Sequence, residues 1–142
     1  MHISEINIRT LQKKDVDEVI DLLQSLSNYR PNKESYSLIC NDFFSQQNVF
    51  SIVAIFNNKI IGYGSIVIET KIRGGRKGHI EDIVTHQNYR NKQIGSKIID
   101  NLFKIAKKKE CYKISLECNK NNVPFYINNK FEISGTGMQR FL

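Results

Sequence analysis

Hydrophobic and polar positions change period several times along the chain, and each change marks an element. Residues 6–11, "INIRTL", alternate as a half-buried strand does, after which Val16, Val19, Ile20, Leu22, Leu23 and Leu26 recur at helical spacing. Pro31-Asn32 interrupts, and "KESYSLICNDFF" predicts a second helix with Leu38, Ile39, Phe43 and Phe44 on its buried side. Two apolar runs, Val49 to Phe56 and Ile60 to Ile68, flank Asn57-Asn58, a pair suited to the tight turn of a β-hairpin. The segment "KIRGGRKG" at 71–78 predicts a basic, glycine-rich loop, and "HIEDIV" at 79–84 a strand.

From Ile94 onward, Ile98, Ile99, Leu102, Phe103, Ile105 and Ala106 trace one helical face while Lys97, Asp100, Asn101, Lys104 and Lys107 occupy the other, as in an amphipathic helix laid on a sheet. "YKISLEC" at 112–118 predicts a short buried strand. "NNVPFYINN" predicts a short helix capped by Asn122 with Pro124 in its first turn, and the remainder one or two closing strands. The predicted order is β-α-α-β-β-β-α-β-α-β, an α/β (α+β) arrangement. There is no internal repeat and no linker, so residues 1–142 are expected to form a single domain.

Composition narrows the function classes. The longest apolar run, "VFSIVAIF", is far too short to span a bilayer, and the N-terminus reads as a strand rather than a targeting segment, so a cytoplasmic protein is expected. Cys40, Cys111 and Cys118 form an odd set without zinc-type spacing, which argues against disulfides and structural metal. The net charge of +7 favours anionic partners: nucleic acid, a membrane surface or a phosphorylated small molecule. Aromatic residues do not interleave with the basic loop, so the stacking platforms of a single-strand binder are not evident.

Candidate chemistry begins at "YRNKQIGSKI", residues 89–98. The first amides of a helix lack internal partners and carry partial positive charge, so a polar loop that leads into them either holds an anion or is a plain strand-to-helix turn. Two adjacent carboxylates, Glu81 and Asp82, lie between Ile80 and Ile83. In a regular strand they face opposite sides, and only a bulge brings both to one site.

The sequence "IEDIV" (80–84), "RNKQIG" (90–95), "CYKISLEC" (111–118), "NVPFY" (122–126) and "MQRFL" (138–142), in that order, resembles the GCN5-related N-acetyltransferase superfamily, and within it the enzymes that acetylate glucosamine 6-phosphate on the way to UDP-N-acetylglucosamine. The likeness covers most of residues 78–142; residues 1–50 match only in element order.

The resemblance implies a mixed, twisted central sheet flanked by helices, with acetyl-CoA as co-substrate. Ile83, Val84, Thr85, Arg90, Asn91, Lys92, Gln93, Ile94, Gly95, Ser96, Asn122 and Tyr126 would then bind coenzyme A, with the diphosphate in the 90–95 loop. Similar enzymes bulge the strand at 81–84, exposing amides near Ile83 and Val84 to the thioester carbonyl. Tyr126 would protonate or stabilise the leaving thiolate. Glu81, Asp82 and Glu117 would hold the amine and take its proton, without singling out one base.

Lys71, Arg73, Arg76 and Lys77 on the basic loop offer a cationic seat for the sugar phosphate, with Lys113 a further candidate, and Arg140 is the counterpart by resemblance of another phosphate ligand. The same resemblance implies a homodimer with exchanged terminal strands, and direct attack that uses neither Cys111 nor Cys118.

Two positions depart from the superfamily's pattern. Gln93 stands where the wider superfamily has glycine, as in the aminosugar enzymes. Lys130 stands where a glycine is usual, and Asn129 is expected to take the left-handed conformation in its place. Another amine acceptor, such as a polyamine or a protein N-terminus, is the alternative among enzymes, and a basic nucleic-acid-binding module the alternative outside them.

Overall fold

Asn57 and Asn58 both adopt positive φ (48° and 58°), the conformation a two-residue hairpin turn requires. They join β2 (Val49–Phe56) to β3 (Lys59–Thr70) in a computed structural model that describes residues 2–142. A second hairpin follows. Lys71 donates to the Gly75 carbonyl and Gly74 to the Lys71 carbonyl, with Gly74 and Gly75 at positive φ, and β4 (Arg76–Thr85) returns along β3. The basic loop is therefore only residues 71–75, and Arg76, Lys77 and Gly78 lie in strand.

β1 (Asn7–Thr10) pairs with β2, and β5 (Cys111–Ser115) lies parallel to β4 after the crossover helix α3 (Ile94–Lys108), giving a five-stranded mixed sheet in the order β1-β2-β3-β4-β5. α3 covers one face. Its Ile94, Ile98, Leu102 and Ala106 are buried against Ile52, Ala54, Ile61, Ile66, Ile68 and Ile80. On the other face α1 (Val16–Leu23) packs Val19 with Leu11, Val53, Ile60, Tyr63 and Val84, and Phe43 and Phe44 of α2 (Tyr36–Phe44) close the edge.

A bidentate ion pair ties β1 to the entrance of α1. Arg9 Nη1 and Nη2 lie 2.6 and 2.9 Å from the carboxylate of Asp15, which also accepts from the Gln12 amide and is 5 % exposed. The Arg9 hydrogen bond, above all, holds the Asp15 carboxyl below its ordinary value, against a smaller opposing effect of burial. A carboxyl with a lowered folded-state value stabilises the fold above its unfolded value, near pH 3.9, and loses that contribution as pH falls through the lower folded value. Arg9→Met is expected to cost about 1.5–3 kcal/mol at pH 7 and to flatten the fall in stability below pH 4, as read by urea unfolding at pH 3–7.

Several expectations need correction. Leu38 (64 % exposed) and Ile39 (36 %) do not form the buried side of α2, which meets the core only through Phe43 and Phe44 at its C-terminal end. Leu26 lies beyond the end of α1, and Phe103 on the outer face of α3; both are about half exposed. β5 stops at Ser115 instead of running to Cys118.

α4 (Val123–Asn128) carries Pro124 in its first turn, but the Asn122 side chain makes no capping bond. Lys130 itself takes the left-handed conformation (φ 70°), while Asn129 stays at φ −97° and donates from its side chain to the Phe125 carbonyl. Residues 131–142 form no strand: Gly135 turns left-handed (φ 69°), and Gly137 rests against the Glu117 carboxylate. No helix is long and apolar enough to cross a membrane among the described residues.

Candidate active site

The candidate site begins where β4 stops being regular. Up to Glu81 it pairs residue for residue with β3, Ile80 with Ile66 and Glu81 with Ser65, but the next pair is Val84 with Tyr63. Three steps on β4 oppose two on β3, and Asp82 absorbs the extra residue at φ 54°. The expected bulge between 81 and 84 is present. It reverses which parity faces which side: Ile80 packs under α3, whereas Val84 joins the α1 cluster.

Tyr63, a phenol buried on the α1 side, is raised above its ordinary value mainly by desolvation, with the Asp82 charge adding to it. The Glu81 carboxyl is raised above its ordinary value, first by desolvation, then by the Asp82 charge, with Glu117 adding and His79 opposing. The charges of Asp82 and Glu117 thus both act on Glu81.

β4 and β5 then part. Their parallel ladder ends at His79 opposite Ser115, so among the described residues β4 from Ile80 to Thr85 has no strand partner on that side. Past Ser115 the chain continues through Glu117 and Cys118 into α4. The opening is bounded beyond by the first turn of α3, where a Cβ built on Gly95 would come 2.9 Å from Phe125 Cζ, so Gly95 permits the contact between α3 and α4. The Thr85 hydroxyl lies 3.8 Å from the same point.

The loop into α3 has the conformation of an anion seat. Asn91 and Gln93 both adopt left-handed φ (62° and 65°), so consecutive amides turn to a common side. The amides of Ile94, Gly95 and Ser96 donate to no backbone carbonyl among the described residues, and Gln93, at the N-cap, makes no side-chain cap. Arg90 and Lys92 are exposed beside them. This set fits a diphosphate: several outward N–H groups, a helix N-terminus and two cations. The backbone edge of β4 beyond His79, on the side away from β3, fits an amide-bearing chain running from that seat toward the carboxylates.

Tyr126 sits half-buried on α4, with Phe125 and Phe131 stacked edge-on at centroid distances of 5.0 and 5.6 Å. Burial, and to a smaller extent Cys118, raise its phenol above the ordinary value, which keeps it protonated through neutral pH. A protonated phenol can donate a proton.

The cationic candidates are less gathered. Lys71 Nζ is bound to Glu69 at 3.1 Å, and Arg76 donates to the Lys109 carbonyl. Lys113 faces Lys77 across the parallel ladder. Among the described residues no ion pair links Arg73, Lys113 or Arg140 to another side chain. Arg140 lies in the exposed tail. Sequence reasoning does not single out Glu69, His79 or Tyr63 as site residues; the period-two placement of His79 before Glu81 is the signal that points to one of them.

Residues 16–129 match the acetyltransferase (GNAT) family. The chain is 38 % identical to glucosamine 6-phosphate N-acetyltransferase 1 of Dictyostelium discoideum, over 96 % of this chain and 91 % of that protein. It is 31 % identical to glucosamine 6-phosphate N-acetyltransferase of Trypanosoma brucei brucei over 87 % of each. The crystal structure of glucosamine-6-phosphate N-acetyltransferase from Arabidopsis thaliana superposes with a TM-score of 0.88 at 29 % identity, covering 96 % of this chain and 97 % of that one. Because the family match runs through the bulged strand, the parted ladder and the helix beyond it, the chain belongs to the acetyltransferase (GNAT) family.

Proposed function

We propose that this protein transfers the acetyl group of acetyl-CoA to the amine of glucosamine 6-phosphate, giving N-acetylglucosamine 6-phosphate. The observation that carries the reading is the set of acids acting on Glu81 at the β4 bulge, beside the open edge of the same strand. The full-length similarity to enzymes named for this reaction supports the choice of acceptor.

An aminosugar arrives largely as ammonium, so it must be both held and deprotonated. Glu81, Asp82 and Glu117 supply the negative charge that holds it, and a carboxyl raised above its usual range is a better-matched proton acceptor than an ordinary one. The free amine attacks the thioester carbonyl directly. The Ile83 amide at the bulge stabilises the charge that develops on its oxygen, and Tyr126 gives its proton to the departing sulfur. Asn91 to Ser96, with Arg90 and Lys92, hold the diphosphate; Thr85 and Asn122 line the path between.

The sugar phosphate is assigned to Lys71, Arg73, Lys113 and Arg140, the last of these on the exposed C-terminal tail. Ile133, Met138, Phe141 and Leu142 expose their side chains along that tail, and β5 is the last strand of the sheet. Both features support a homodimer in which the tail crosses to a second copy. Light scattering is expected to give twice 16.5 kDa for the full chain and a monomer for a chain ending at Phe131; a full-length monomer would remove the dimer. The reaction belongs in the cytoplasm, where acetyl-CoA and sugar phosphates are available.

Acetyl-CoA at a hundred times its Kd is expected to stabilise the fold by about 2.7 kcal/mol in a thermal-shift measurement. Against a panel of amines, glucosamine 6-phosphate is expected to be acetylated in preference to glucosamine, polyamines and peptides. Indifference to the 6-phosphate would move the assignment to another amine. Oligonucleotide binding with a steep salt dependence and no response to acetyl-CoA would move it out of enzymes altogether.

A further inference from the structure

His79 stands two residues before Glu81 on the same face of β4, in the part of the strand that still pairs regularly. Its Nε2 lies 2.9 Å from Glu69 Oε1, on the neighbouring strand, and the same oxygen is 3.1 Å from Lys71 Nζ. The pair is diagonal, since Glu69 is directly opposite Lys77 and His79 opposite Val67. The imidazole is thus oriented by a carboxylate that is itself oriented by a lysine, and its charge acts on Glu81.

Charged and titratable side chains around this imidazole come from every neighbouring element. Glu69 and Lys71 belong to β3 and the turn after it, Lys77, Glu81 and Asp82 to β4, and Lys113 and Glu117 to β5 and the segment after it. Across the ladder, His79 is opposite Ser115, which is neutral. Among the charges acting on Glu81, His79 is the one that favours the carboxylate, against Asp82 and Glu117.

We propose that His79, clamped by Glu69, is a positioning residue of the acceptor site, whose positive charge offsets the crowding of the three acids and keeps Glu81 available to the incoming amine. The proposal rests on the acceptor reading given above. With His79 protonated, Glu81 ionises more readily; with His79 neutral, the three acids face one another alone.

The test compares wild type with His79→Gln, His79→Lys and Glu69→Gln, each first checked for an unchanged melting temperature. Removing a charge about 7 Å from Glu81 should move the acid limb of the kcat/KM pH profile upward by roughly 0.4–1.7 pH units in His79→Gln. His79→Lys should return the limb toward the wild-type position, and Glu69→Gln should shift it less than His79→Gln does. An equal loss of kcat/KM at every pH, or an unmoved limb, overturns the proposal.

Carbon-detected NMR titration of the Glu81 carboxyl in the substrate-free protein gives a readout independent of the acceptor. A Glu81 titration that moves in His79→Gln supports the coupling even if glucosamine 6-phosphate is not acetylated, a result that would count against the acceptor reading instead. An unmoved titration overturns the coupling whatever the substrate.

Discussion

Tyr126→Phe is expected to lower kcat by roughly ten- to a thousandfold while leaving the KM for acetyl-CoA and the melting temperature almost unchanged. The substitution deletes one oxygen and keeps the ring, so the edge-on contacts with Phe125 and Phe131, and the Phe131 amide bonded to the Tyr126 carbonyl, all remain. What disappears is a donor held in its protonated form by burial. A positioned acid contributes roughly a hundred- to ten-thousandfold, and water entering the opening recovers part of that, which sets the lower range. The loss should appear in kcat and kcat/KM together, because the proton is needed only as sulfur departs. Single-turnover thiol release measured at wild-type speed in the variant would leave Tyr126 with a packing role only.

How much of this was readable beforehand depended on whether a residue's role is set locally or by distant chain. The Asn57-Asn58 hairpin was legible because both turn residues favour the left-handed region in any context. α3 was legible because fifteen residues repeat one apolar face. The bulge followed from two adjacent acids inside an apolar strand together with the family resemblance.

Other features were set elsewhere. Leu38 and Ile39 carry the same apolarity as Phe43 and Phe44, yet only the end of α2 reaches the sheet, and no periodicity reveals that. Apolar residues in the tail read as strand, but a strand exists only against an edge, and within one chain Gly135 turns the tail and Gly137 rests against Glu117 instead. At 128–131 propensity favoured Asn129 for the left-handed position. The helix end decided otherwise, because Asn129 is still bonded to Phe125 and the turn falls on Lys130. The Glu69–His79 contact joins two strands diagonally and is visible only once the register is known.

The same dependence on distant chain yields the largest expected effect on stability, at the seam between α3 and the sheet. A Cβ built on Gly64 would lie 2.6 Å from Ile98 Cγ2 and 3.1 Å from Leu102 Cδ1, both on fully buried side chains with no solvent to yield into. Gly64→Ala therefore forces α3 outward or its side chains off their rotamers, at about 1–3 kcal/mol. Ile98→Ala empties the same place and should cost about 2–5 kcal/mol. In the double variant the new methyl enters the space vacated by Cγ2, so clash and cavity relieve one another. Its cost should fall below the sum of the two single costs by about 0.5–3 kcal/mol, measured by urea unfolding of all four proteins. Strict additivity would mean that α3 does not rest on Gly64, and the seam would have to be held by Gly62, whose Cβ position is 2.8 Å from the other end of the same isoleucine. Because Gly64 lies opposite the bulge at Asp82 and Ile83, displacement of α3 there should also disturb acetyl transfer, so kcat in the double variant is expected to recover along with stability.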